Sequence, residues 1–239
     1  MYFTTEAIVL QLNLYKDNSA VAKLYTRQMG LVSCWVPSVH KKTSKTRASV
    51  MQSLSITNAE INHRENNSLT QLKEISVAVH TNNISMNIEK SSIAIFLSEL
   101  LLRSVSGHSQ DEDLYQFVRD CICLLESTAE KCANFPIMFI IRLSEFLGLL
   151  AKSSYSEQTP YFNLEEGTYI QQKPFHPHYL DAAESKWLGE LSVLPMEQFY
   201  TPAIPSDTRK KLLRGLLQYF EIHFGMPPLK SHLVLEEVF

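Results

Sequence analysis

The chain has 239 residues, of which 45% are hydrophobic, and its formal net charge is -3 at pH 7. This length accommodates one large domain or two ordinary ones, and this apolar fraction is enough to bury a core. Only 7 glycines argue against a glycine-rich low-complexity chain, no apolar run is long enough to predict a transmembrane helix, and four scattered cysteines suit a reducing cytoplasm better than a disulfide framework.

The first 80 residues predict β-strands. Five runs are rich in β-branched and aromatic residues, and turn-forming or basic segments separate them. No basic residues precede the first run, so we expect it to be a strand and not a signal peptide. Five short strands in so few residues are typical of a small closed barrel. The runs are residues 5–15, 19–26, 30–38, 51–60 and 69–79.

After residue 82 the apolar period changes from two to 3.6, which predicts helices. One stripe runs from Ile93 to Leu101 and a second from Leu114 to Leu125, after an acidic first turn that begins at Asp111. Further helices are predicted from Phe135, with Pro136 in the first turn, from Leu180 to Leu194, and from a Ser206 cap. The sequence therefore predicts an α+β protein: a five-stranded OB-fold barrel at 1–80 and a helical domain at 81–239, interrupted by an irregular insert at 151–179.

The basic residues are concentrated in the predicted barrel. No Asp or Glu occurs from residue 18 to residue 59, where the chain's average would place about four. Such an exclusion of acids indicates an anionic partner. The six basic residues of this segment, together with Trp35 as a base-stacking side chain, are the predicted DNA-binding residues. They are Lys23, Arg27, Lys41, Lys42, Lys45 and Arg47. The alternative interpretation is that the lysine-rich loop is only a solvated surface loop and that the aromatic side chains of the neighbouring strands (Tyr15, Tyr25, Trp35) pack in the core.

The sequence contains no phosphate-binding, dinucleotide-binding, zinc-protease or serine-hydrolase motif, and no cluster of candidate catalytic residues. We therefore expect no enzymatic activity, no cofactor and no small-molecule substrate. Cys121 and Cys123 point to opposite sides of a helix, so they are a poor metal site. His176 and His178 could hold a metal, but a plain loop is the simpler interpretation, and we expect no metal site. A hydrolase that uses either histidine remains a third hypothesis.

Three stretches resemble the bacterial RecO family. They are TEAIVLQLNLYKDNSAVAKLYTRQMGLVSCWV at the start, IRLSEFLGLL at 141–150, and the ending LLRGLLQYFEIHFGMPPLKSHLVLEEVF, which carries Tyr219, His223, Lys230 and Ser231. Many RecO sequences have a four-cysteine zinc site in the insert, whereas residues 151–183 contain no cysteine here. We therefore expect a zinc-free insert held by aromatic packing. The aromatic residues in question are Tyr155, Tyr161, Phe162, Tyr169 and Phe175.

The resemblance implies a recombination mediator in DNA repair that binds single- and double-stranded DNA and anneals complementary strands. It also implies action with RecR to load RecA onto strands coated by single-strand-binding protein, in the cytoplasm at the nucleoid. The family's helical domain grips the acidic, Phe-ended tail of single-strand-binding protein. Basic residues of the last long helix are the candidates for this contact: Arg209, Lys210, Lys211 and Arg214. The alternative function is an OB-fold adaptor that binds an acidic protein and has no DNA role.

Overall fold

The computed structural model describes residues 2–15, 18–37, 39, 48–62, 69–105, 110–149 and 153–239. The chain forms two compact units, Met1–Thr128 and Ala129–Phe239. Strands give way to helices after residue 79, whereas the compact units divide after residue 128. The domain boundary at residue 80 therefore remains a prediction. Within the described ranges, no helix is long and apolar enough to span a membrane.

The first unit begins with a closed five-stranded barrel, which confirms the predicted OB-fold. Its strands follow the order β1-β2-β3-β5-β4, with β1 paired to both β2 and β4. The β3–β5 pair is parallel and the other four pairs are antiparallel. The strands are β1 Tyr2–Tyr15, β2 Ser19–Thr26, β3 Gly30–Pro37, β4 Ile56–Asn62 and β5 Thr70–Val79.

Alternating side chains of the strands fill the barrel. Along β3, Val32, Cys34 and Val36 point inward and are buried, while the residues between them are partly exposed. Successive side chains of a strand point to opposite faces, so the period of two in the sequence separates core from surface. Leu24 of β2 and Ile61 of β4 complete this core.

The fourth strand begins later than predicted. It starts at Ile56 instead of residue 51, because residues 48–55 form a 3₁₀ turn (Ala48–Val50) and a tight bend. Leu54 has a positive φ of 61°, and its N–H donates to the carbonyl of Val9. This bend fastens the segment to β1 before β4 begins.

Three helices follow the barrel in the first unit: α1 Asn82–Met86, α2 Ile88–Ser104 and α3 Glu112–Ser127. Asp111 caps α3 by accepting the Leu114 N–H at 2.9 Å, as the acidic first turn predicted. Arg119 and Tyr115 of α3 both donate to the Glu6 carboxylate of β1, at 3.0 and 3.3 Å.

The second unit contains four helices and a small sheet. Leu212, Leu216 and Phe220 are buried along the apolar face of its longest helix, as the 3.6 period predicted. The helices are α4 Phe135–Phe146, α5 Ala182–Ser192, α6 Ser206–Phe224 and α7 His232–Val238, with a 3₁₀ turn at Met196–Gln198. The strands are β6 Tyr161–Asn163, β7 Thr168–Ile170 and β8 Tyr179–Leu180.

The prediction that Ser206 caps the longest helix is wrong. Pro205 precedes α6 as its N-cap, and the Ser206 hydroxyl donates to the Phe239 carbonyl oxygen at 3.3 Å. A contact between residues so far apart in sequence has no local pattern. By contrast, Pro136 does lie in the first turn of α4.

The insert is a short hairpin packed on α6. Phe162 lies at the centre, with its ring 4.9 Å from that of Tyr169 and 5.7 Å from that of Tyr219. Tyr155 packs on Tyr169, so aromatic packing of these three insert residues is confirmed. Phe175 is fully exposed, and its predicted packing is wrong.

Two further contacts fasten the hairpin. Tyr161 contacts Tyr179 of β8 at 6.3 Å between ring centroids. The His223 imidazole of α6 lies 2.9 Å from the Leu164 carbonyl oxygen, to which its N–H donates. Tyr161 and His223 therefore both help to hold the insert in place.

The close approach at Gly167 yields a stability prediction. Its φ is +67°, and a Cβ would lie 2.6 Å from the Tyr219 hydroxyl oxygen. Gly225 also has a positive φ of +61° but nothing within 4 Å of a Cβ, so it is the matched control. We expect Gly225→Ala to lower the free energy of unfolding by about 1 kcal/mol and Gly167→Ala by about 2 kcal/mol or more. Urea unfolding measures both, and equal losses would contradict the close approach.

Candidate nucleic-acid interface

The outward side chains of β1, β2 and β3 form one continuous face, hereafter the outer face. Lys23 of β2 lies opposite Ser33 of β3 and Gln11 of β1. Trp35 lies opposite Val21 on one side and Gln71 of β5 on the other. Since neighbouring side chains alternate between the two sides of each strand, these polar and aromatic residues share the outside of the barrel.

Two predicted DNA-binding residues lie on this outer face. The Lys23 ammonium donates to the neutral Ser33 hydroxyl at 2.6 Å. The Trp35 ring meets Tyr15 edge-on, with the centroids 5.7 Å apart, and Tyr15 is half exposed. A cation beside partly exposed aromatic rings is the arrangement with which OB-folds bind single strands.

Tyr25 does not contribute to this face, which agrees with the interpretation that it packs in the core. It is 2% exposed and packs on Tyr115 of α3 with ring centroids 5.6 Å apart. Burial raises the pKa of its phenol well above the usual range. Leu24 and Tyr25 point to opposite sides of β2, and both are buried because the barrel encloses Leu24 and α3 covers Tyr25.

Arg27 lies apart from Lys23 and Trp35. It follows the end of β2, and its guanidinium pairs with Glu112 at the start of α3 at 2.6 Å. Its hydrogen bond to Glu112 raises the pKa of the Arg27 guanidinium. Arg27 is thus paired with a carboxylate of the same chain and lies apart from the outer face. Its contact with DNA remains a prediction.

The four remaining predicted residues, Lys41, Lys42, Lys45 and Arg47, lie outside the described ranges. The residues that flank them are described. The Val39 N–H donates to the Asn18 carbonyl at 3.1 Å, and the Ala48 N–H donates to the Val39 carbonyl at 3.3 Å. The basic segment therefore leaves and rejoins the barrel at one point, beside the turn that links β1 to β2 and next to the strand ends that carry Tyr15 and Trp35.

His176 and His178 meet at Glu165, in the turn of the β6–β7 hairpin. His178 Nδ1 lies 2.8 Å from one carboxylate oxygen and His176 Nε2 lies 3.7 Å from the other. The His178 backbone N–H donates to His176 Nδ1, so the neutral His176 ring carries its proton on Nε2, facing the carboxylate. His178 Nδ1–H likewise donates to Glu165. The ligand atoms of Glu165, His176 and His178 all lie within 4.8 Å of one another, so these side chains could hold a metal ion, and the absence of a metal site stays a prediction.

The candidate partner-binding residues lie along α6, and three of them contact α7. Arg209 Nη2 donates to the Phe239 carbonyl at 2.8 Å, and Lys210 Nζ donates to the Glu236 carbonyl at 2.5 Å. Arg214 forms a two-pronged pair with the Glu236 carboxylate, which lowers the pKa of Glu236. Lys211 is exposed and lines a separate cleft beside Glu184 and Glu221.

Between α4 and α6 lies an apolar groove, hereafter the α4–α6 groove. Its floor is formed by Pro136 and Ile137 of α4 and by Leu213 of α6, and Arg209 and Lys210 form its edge. Leu235 of α7 enters it and is 2% exposed. The sequence could not reveal this occupant, because Glu236 and Arg214 are 22 residues apart and follow no local charge pattern.

Comparisons with known proteins cover nearly the whole chain. Residues 1–79 match the family model of the recombination protein O N terminal region, and residues 86–233 match that of the C terminal region. A DNA repair protein RecO from Azobacteroides pseudotrichonymphae is 28% identical over 240 residues, with 100% of both chains covered. Proteins of the same name from Bacteroides fragilis and Flavobacterium psychrophilum are each 29% identical, with 98% and 100% of both chains covered.

The position of Cys34 on the inward side of β3 predicts how its thiol reacts. Cys34 is fully buried between the outward residues Ser33 and Trp35, and burial raises the pKa of its thiol to about 11. Because only the thiolate reacts, about a thousandth of the thiol is reactive at pH 8 even without steric protection. We expect iodoacetamide at pH 8 to leave Cys34 unmodified in the native chain and to modify it rapidly in urea, as measured by peptide mass spectrometry. Partly exposed Cys123 is the internal reference. Equal rates of modification of both thiols in the native chain would contradict the burial of Cys34 on the inward side of β3.

Proposed function

The chain belongs to the RecO family of DNA repair proteins, and from this premise we propose that it is a non-enzymatic recombination mediator. It binds single- and double-stranded DNA in the cytoplasm, at the nucleoid, and anneals complementary strands. With RecR, it helps to load RecA onto strands coated by single-strand-binding protein. The observation that carries the DNA-binding proposal is the outer face, where Lys23 and Trp35 lie on the same side of neighbouring strands, together with the flanks of the basic segment, which meet at Val39 just after β3.

The chemistry of this surface favours binding that is independent of sequence. Phosphates attract the basic side chains without any information on base identity, and an aromatic face stacks on every base. We assign phosphate contacts to the basic residues and stacking to Trp35. The proposed phosphate contacts are Lys23, Lys41, Lys42, Lys45 and Arg47, with Arg27 joining when a phosphate replaces Glu112. Cations between two strands screen their repulsion, so annealing needs no nucleotide hydrolysis.

The helical unit supplies the proposed contact with an acidic protein. Arg209 and Lys210 edge the α4–α6 groove, and Lys211 and Arg214 of the same helix line the separate cleft beside it. An apolar groove with a cationic edge suits a segment that carries both an aromatic residue and carboxylates. We propose that the acidic tail of single-strand-binding protein binds here.

A protein-interaction adaptor without a DNA role is the second candidate, because the cationic outer face would also attract an acidic protein. Both functions predict binding that weakens with salt. They differ in stoichiometry: DNA binding saturates at a fixed number of nucleotides per chain, whereas an adaptor shows no site size. Titration with oligonucleotides of increasing length distinguishes the two.

The basic segment is tested by changing Lys41, Lys42 and Lys45 together to Ala. The matched control changes Lys131, Lys186 and Lys230, three exposed lysines of the helical unit, to Ala. Fluorescence anisotropy with a labelled single strand, over a salt series, gives the slope of log affinity against log salt. We expect the first variant to bind more weakly and its slope to become shallower by about two, since each phosphate contact contributes about 0.7. An equal effect of both variants would show that only net charge matters.

The chain has 2 tryptophans, so Trp35 is tested in a Trp187→Phe background, in which it is the remaining tryptophan. Stacking predicts that single-stranded DNA quenches the remaining fluorescence. Trp35→Ala should weaken binding at constant salt by about tenfold, since stacking is worth about 1–3 kcal/mol per base. Trp35→Phe should retain most of the affinity with an unchanged salt slope. Unquenched Trp35 and an unaffected Ala variant would contradict stacking.

A further inference from the structure

The α4–α6 groove is already filled by a segment of the chain itself. Helix α7 lies on it, with Leu235 inserted between α4 and α6. The space that remains beside Leu235 is about 20 Å³, which is room for about one water molecule. Three cations of α6 are committed to α7: Arg209 and Lys210 to backbone carbonyls, and Arg214 to the Glu236 carboxylate.

The contacts show which chemistry the groove accepts. One carboxylate meets Arg214, one branched apolar side chain fills the apolar floor, and an aromatic residue, Phe239, lines the groove where Arg209 holds its carbonyl. Leu233 is 56% exposed, and Glu237 points outward as well. Helix α7 therefore presents an acidic and apolar side to the groove, and an acidic segment with an aromatic residue about one turn away would satisfy the same groups.

Helix α7 depends on these contacts for its existence. It has seven residues, about two turns, and isolated helices of that length are not stable in water. A preceding segment with Gly225 in the left-handed region, followed by Pro227 and Pro228, separates it from α6. Loss of a few side-chain contacts would therefore release α7 as a unit and would leave the fold of α4 and α6 intact.

We propose that α7 is a resident occupant of the α4–α6 groove and that an acidic, aromatic-bearing segment of a partner protein binds there only by displacing it. This inference rests on the proposed partner contact of α6 and adds its regulation. Competition lowers the apparent affinity for the partner segment by the fraction of chains in which the groove is open. A condition that releases α7 would strengthen partner binding with no change in the groove.

The test uses the full chain and a fluorescein-labelled peptide with the sequence Ser231–Phe239, blocked at both ends. The variant Leu235→Ala with Glu236→Ala removes the two side chains that hold α7. Its matched control, Leu233→Ala with Glu237→Ala, makes the same chemical changes on the exposed side of the helix. We expect the first variant to bind the peptide about tenfold more tightly than the unchanged chain, and the control to bind like the unchanged chain.

A charge exchange verifies where the peptide binds. Arg214→Glu in the Leu235→Ala, Glu236→Ala chain should abolish binding of the peptide, and a peptide with Lys in place of Glu236 should restore it. Hydrogen exchange on the unchanged chain is independent of any variant: saturating peptide should accelerate exchange of the α7 amides and leave those of α6 unchanged.

The outcomes separate the two proposals. Peptide binding that depends on Arg214 but is equal in the unchanged and Leu235→Ala, Glu236→Ala chains would overturn displacement and leave the partner contact standing. If neither chain binds the peptide while both bind DNA, the α6 contact itself fails, and displacement fails with it. Unaltered exchange of the α7 amides at saturating peptide would also overturn the inference, because α7 would then remain in the groove.

Discussion

Closure of the barrel by the parallel pairing of β3 with β5 determines which side chains face outward. Among the residues that the structure describes, Cys34 pairs with Thr70 and Trp35 with Gln71. The Thr70 hydroxyl donates to the Ser33 carbonyl at 3.1 Å and lies 3.2 Å from the Cys34 sulfur, both within the closed barrel. These contacts fix Cys34 inside, so Ser33 and Trp35 must face outside. A shift of β3 by one residue would exchange its inward and outward side chains and would bury Ser33 and Trp35.

Closure also determines where the basic segment is anchored. Since β3 is held by β2 and β5, its end at Pro37 has a fixed position, and Val39 bonds back to Asn18 immediately after it. The Val39–Ala48 hydrogen bond then brings both flanks of the segment to the same point. The described residues on either side of the basic segment, Val39 and Ala48, are thus held by the backbone of the barrel near the end of β3.

The sequence predicted what depends on local periodicity. The five strands of the barrel, the apolar stripe of α6 and the acidic start of α3 follow from patterns within a few residues, and the structure confirms them. The errors concern contacts between residues distant in sequence. The Ser206 hydroxyl, predicted to cap α6, bonds Phe239 instead. No period of two or 3.6 residues encodes such contacts, so the candidate site could be predicted as a set of residue types but not as a geometry.

The same distinction explains why the acid-free segment matters. In the described residues, the chain neutralises several of its arginines with carboxylates from distant positions: Arg27 with Glu112, Arg119 with Glu6 and Arg214 with Glu236. Absence of acids from a stretch of sequence therefore does not by itself leave its cations unpaired, and Arg27 shows this. Lys23 differs, because its neighbours across the strands are Ser33 and Gln11, which are neutral. An anion that approaches Lys23 would displace only a hydroxyl, whereas one that approaches Arg27 would have to compete with a carboxylate, so the two cations differ in accessibility although the sequence gives them the same charge.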